Sequence, residues 1–100
     1  MQDYQAIVRV RHRGLDLAVN AEALDIVTAA LDEHGASAQL WPDVSEWTMT
    51  VSAPSVYAVA PVAGRSVQRA YARAGAQASV VRVDAWQAAE WDRAHSEGVE

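Results

Sequence analysis

The side chains able to do chemistry are few and scattered. Histidine occurs only at His12, His34 and His95. No two of them have the i, i+4 spacing that would bring both imidazoles to a metal from one helix face. Cysteine is absent. That excludes a disulfide framework, a thiolate zinc site, an iron–sulfur cluster and a cysteine nucleophile. The adjacent acids Asp32 and Glu33 read as helix-surface solvation rather than as an acid–base pair. No nucleophile-elbow, dinucleotide-binding or phosphate-loop pattern occurs. The sequence thus offers no catalytic residue, no cofactor-binding residue and no metal ligand. It does offer a stripe of charge. Arg65, Arg69 and Arg73 recur at i, i+4, i+8, so a helix would carry them along one face. Such a stripe suits phosphates or an acidic partner. The plainer expectation is a solvated face near the acids of the preceding helix.

Composition bounds the rest. The chain has 100 residues, 51% of them hydrophobic, with 21% charged and a formal net charge of −5. That length supports one domain, and the composition is too apolar for a disordered chain. There are 21 Ala and 14 Val against 5 Leu and 2 Ile, and 8 Arg against no Lys and no Phe. Lys and Phe use AT-rich codons, so the skew reads as a GC-rich genome. It discounts any choice of arginine for phosphate binding. No apolar run is long enough to span a membrane. The first residues lack the basic and apolar regions of a signal peptide, so a cytoplasmic location is expected.

The elements that would position these side chains follow from periodicity. Strands are expected at about 4–11, 37–41, 46–52 and 78–83. A helix over 21–34 starts at Asn20 as N-cap and stops at Gly35. A second helix over 55–74 ends at Gly75 and carries Pro61 inside, which predicts either a kink or a split in which Pro61 begins a second piece. Asp84 with Gln87 resembles a capping box and predicts a short helix over 85–94. The order β-α-β-β-α-β is that of an α+β ferredoxin-like split βαβ sandwich, with the first and third strands central.

In that fold one sheet face packs on the helices and the other stays open. Alternation assigns Gln5, Ile7, Arg9 and Arg11 to the open face, with Glu46, Thr48, Thr50 and Ser52. Val80 and Arg82 join from the last strand, and either Leu40 or Trp41 from the second. Ile7, Arg9, Arg11, Trp41, Thr48, Thr50, Val80 and Arg82 together form the candidate interaction surface, since apolar groups mixed with arginine mark interfaces. RNA-recognition domains share this topology but stack bases on central-strand aromatics. Here those positions hold none, and the net charge opposes phosphate, so nucleic acid is not the expected partner. Trp47 is expected in the core, Trp41 at a hairpin shoulder, and Trp86 and Trp91 on the terminal helix. With so little Leu and Ile, all four first of all supply volume.

Two resemblances complete the reading. The stretch Val81-Arg82-Val83-Asp84-Ala85-Trp86-Gln87-Ala88-Ala89-Glu90-Trp91-Asp92-Arg93 resembles the tail of small actinobacterial and actinophage proteins. These have a strand followed by an acidic E-aromatic-D-R helix. The resemblance implies provenance and no chemistry. At the level of fold, the chain is also similar to dimeric α+β barrel proteins, including small monooxygenases and haem-degrading enzymes. These use a pocket between sheet and helices, for which Asn20, Trp41, Trp47 and Tyr57 would be the available side chains. The expectation is a small non-enzymatic, protein-binding regulatory module without a cofactor, of phage or mobile-element type and homodimeric. The alternative is a dimeric barrel-type enzyme or a ligand- or haem-binding protein.

Overall fold

Alternation along the first strand is carried through to its last residue. In the computed structural model, which describes residues 1–12 and 16–87, β1 runs Gln2–His12. Tyr4, Ala6, Val8, Val10 and His12 are buried along one face. β3, Val44–Ala53, repeats the pattern with Ser45, Trp47, Met49, Val51 and Ala53. The two strands pair antiparallel from Gln2–Ala53 to Arg11–Val44. β2, Ser37–Leu40, returns against β3. β4, Ala78–Gln87, lies on the other side of β1. The sheet order is β2-β3-β1-β4, with all neighbours antiparallel and β1 and β3 central.

The helices differ from expectation in their ends. α1 covers only Ala21–Ala30 rather than 21–34. Asn20 does cap it, its side chain accepting from the Ala23 amide at 3.1 Å. At the far end, Leu31 N–H is shared by the carbonyls of Val27 and Thr28. That tightens the chain into a 3₁₀ turn, Asp32–His34, closed by Gly35 at φ 59°.

α2 covers Val59–Arg73, after a 3₁₀ turn at Val56–Ala58. Pro61 therefore stands in the first turn of the α-helix, where its missing N–H has no intrahelical acceptor to lose. It opens the helix instead of kinking its interior. Gly75 ends α2 at φ 80°. The Ala76 amide bonds to Tyr71 O and the Gly75 amide to Ala72 O, both at 3.0 Å, which is a Schellman closure.

The expected helix over 85–94 is overturned where it can be seen. Asp84, Ala85, Trp86 and Gln87 pair with Ile7, Ala6, Gln5 and Tyr4. Because β1 begins at Gln2, it offers a ladder that this segment completes, and the pairing outweighs a local capping signal. The remainder of that expected helix, with Trp91, and the third histidine, His95, lie outside the described residues.

Both helices lie on the face formed by the buried strand residues. Ala23, Val27 and Leu31 meet Val59, Ala63, Val67, Ala70 and Tyr71 above them in one cluster. A Cβ at Gly64 would stand 3.4 Å from Val80 Cγ2, so the small residue lets α2 sit close to β4. No described helix is long and apolar enough to cross a membrane.

Candidate interaction surface

The face of the sheet that no described helix covers reads as rows across the strands. Ile7 is half-buried at the centre, flanked by Thr48 on β3 and Asp84 on β4. The next row toward the start of β1 holds Gln5, Thr50 and Trp86, and beyond it stand Asp3 and Ser52. In the other direction come Arg9 with Glu46 and Arg82, then Arg11 with Val44.

Most of these polar groups are tied to one another. Ser52 Oγ donates to Asp3 Oδ1 at 2.6 Å, and Gln5 Nε2 donates to Thr50 Oγ1 at 2.8 Å. Arg9 reaches Glu46 Oε2 through Nη2 at 2.6 Å and Nε at 2.8 Å. Arg82 Nε lies 2.9 Å from Asp84 Oδ2. Trp41, 42% exposed, closes one rim, with the Arg9 guanidinium 6.0 Å from its ring centre. That is within reach of a cation–π contact. Exposed pairs of this kind contribute at most about 1 kcal/mol each. Their effect is to hold side chains in place around Ile7.

Seven of the eight expected interaction residues belong to this face: Ile7, Arg9, Arg11, Trp41, Thr48, Thr50 and Arg82. Val80 does not. Arg9 pairs with Arg82 but Val10 pairs with Val80, so Val81 is an extra residue on β4. This β-bulge resets the alternation and turns Val80 inward, against Gly64 and the core. The same pairing brings Asp84 and Trp86 to the open face, which the sequence reading missed. Leu40 packs on the core, leaving Trp41 as the member of that pair that meets Arg9.

The stripe Arg65, Arg69, Arg73 is exposed along α2. Among the described residues, none of the three makes an ion pair. Arg69 and Arg73 share a shallow dent with Ser66, Ala30 and Glu33. The carboxylate there opposes an anion, so the dent has the character of a solvated groove between helices.

The largest departure from expectation lies in the core. His12 Nε2 and Ser45 Oγ are 2.7 Å apart, and Trp47 Nε1 donates to the Tyr71 hydroxyl at 3.0 Å. Tyr71 also hydrogen-bonds Ser45, joining the two pairs. The His12 and Tyr71 rings are 5.2 Å apart, and Trp47 meets Tyr71 edge-on at 6.5 Å. All four residues are at most 1% exposed. Burial pushes the Tyr71 phenol above its usual pKa, while its bonds to Ser45 and Trp47 work the other way. A serine beside a histidine suggests a nucleophile, but neither is accessible to a substrate. Alternation could have placed His12 and Ser45 on the core face, one step past Val10 and one step before Trp47, though not their bond to each other or to Tyr71.

The pocket implied by the likeness to dimeric barrels is not assembled from the side chains available for it. Asn20 caps α1, Trp47 is in the core, Trp41 lies on the opposite face, and Tyr57 is 89% exposed. Among the described residues, no group of three or more His, Asp or Glu side chains is placed to hold a metal. Comparison with protein-family models, curated proteins and solved structures gives no match.

Proposed function

We propose that this chain is a small non-enzymatic interaction module. It binds a partner protein through the open face of a ferredoxin-like, split βαβ sheet. The order β2-β3-β1-β4, with both helices on one side, supports that fold. One observation carries the binding role. A half-buried Ile7, framed by Thr48 and Thr50 and rimmed by Trp41 and Trp86, sits within polar side chains that already hold one another. A partner would therefore meet a surface that loses little side-chain freedom on binding.

A protein suits this face better than nucleic acid. Its central positions Ile7, Arg9, Thr48 and Thr50 lack the stacking aromatics of RNA-binding sheets, and the chain carries a net charge of −5. A pocket for haem or another small molecule finds less support. Trp47, Tyr71, Met49, Leu17 and Leu31 fill the space under the helices and are all fully buried.

The test is affinity capture with wild type, an Ile7→Asp variant and an Arg65→Glu/Arg69→Glu/Arg73→Glu variant. Ile7→Asp is expected to lose the bound protein and the arginine variant to keep it. The reverse pattern would move the function to α2.

A further inference from the structure

The open face has a polarity along its central strand. Asp3 stands four positions before Ile7 on β1 and Arg11 four positions after it, both exposed. Among the described residues the face is neutral, with Arg9, Arg11 and Arg82 against Asp3, Glu46 and Asp84. These charges add no net repulsion between two copies that meet through it.

We propose that the partner is a second copy of this chain, packed face to face with β1 antiparallel to its counterpart. The two-fold axis passes between the two Ile7 side chains. This inference rests on the open-face reading and names the occupant.

A two-fold axis lying in the interface and across the strands sets each strand over its own counterpart and reverses its direction. Each row on one side of Ile7 then meets the row on the other side. Arg11 faces Asp3 of the second copy, Arg9 faces Gln5, Glu46 faces Thr50 and Arg82 faces Trp86, while the Ile7 row meets itself, so that the two Asp84 carboxylates stand across from each other, each held by its own Arg82. The first of these pairings uses a group left open within one chain: Asp3 has its Oδ1 on Ser52 and keeps Oδ2 for Arg11. Aligned sheets cross at about −30°, an offset that long arginine side chains can span. Burial leaves few polar groups stranded, because Gln5, Arg9, Glu46, Thr50, Arg82 and Asp84 are already paired within the face.

The size of the face bounds the contact. β1, β3 and β4 have 11, 10 and 10 residues and β2 has 4. At about 3.3 Å per residue and about 4.8 Å per strand this gives roughly 500 Å² per copy. The total of about 1,000 Å² stands at the lower limit for a specific interface. An interface of this size belongs with weak, reversible associations.

Sedimentation velocity from low to high micromolar concentration tests this directly. The wild type is expected to pass from monomer to dimer, and Ile7→Asp to remain monomeric. Arg11→Asp, at an exposed position, is expected to raise the Kd by tenfold or more. Adding Asp3→Arg to it re-pairs the two ends and is expected to recover most of that loss. A wild type that is monomeric throughout, or a dimer indifferent to Ile7→Asp, overturns the proposal. A double variant no tighter than Arg11→Asp alone overturns the antiparallel register. A monomeric wild type whose captured protein is still lost on Ile7→Asp refutes the second copy while leaving the open-face reading standing.

Discussion

Tyr71 shows how much a single hydroxyl can hold at the residue scale. It accepts from Trp47 and bonds Ser45, which in turn bonds His12, all beneath the helices. Tyr71→Phe leaves the indole N–H buried without that acceptor. It is expected to cost about 1–3 kcal/mol, read by denaturant unfolding. The phenol also predicts alkaline sensitivity. Its folded pKa is raised by burial, so the stability it contributes is present below about pH 10, the unfolded tyrosine value, and falls as pH rises further. Stability measured from pH 8 to pH 11 should drop less steeply in Tyr71→Phe than in wild type, and an equal slope would contradict this. In sequence, Trp47 was legible as core because β3 alternates cleanly. The partnership of His12 with Ser45 was not, since the two are 33 positions apart and meet only through strand pairing. Arg9 and Glu46 form a face pair of the kind that contributes little to stability. Glu46→Gln is expected to change the unfolding free energy by under about 1 kcal/mol.

At the scale of elements, local signals located the stops and starts, and pairing corrected them. Asn20, Gly35 and Gly75 each act as their residue types imply. Gly75 at φ 80° has open space around its Cα, with nothing within 4 Å of an added Cβ. The effect of Gly75→Ala is therefore purely conformational, and a loss of about 1 kcal/mol is expected. Asn20→Ala removes the cap on α1 and should cost a similar amount. Both are checked by thermal unfolding. Two features of β4 were not legible. The bulge at Val81 depends on where β1 sets its register, and nothing in the local run of alternating residues announces it. The capping pattern Asp84…Gln87 is a sound local signal. It gives way because β1 reaches back to Gln2 and has backbone groups to satisfy. These two features decide the face, since together they remove Val80 from it and add Asp84 and Trp86.

At the scale of the whole molecule, one face of the sheet is consumed by packing and the other is left as a built surface. A core of many Ala and Val needs its few large side chains, and Trp47 and Tyr71 fill it from β3 and α2. Trp41 and Trp86 are left on the open side, and they give the face its apolar rim. The chain's two isoleucines then provide a direct probe. Ile7 is at the centre of the open face, and Ile26 is exposed on α1. The decisive measurement is a carbon-13 isoleucine-methyl NMR spectrum recorded from low to high micromolar protein. The Ile7 δ1 methyl is expected to shift with concentration while the Ile26 methyl stays fixed. An Ile7 signal that does not move over that range, or an Ile26 signal that moves in its place, would contradict this.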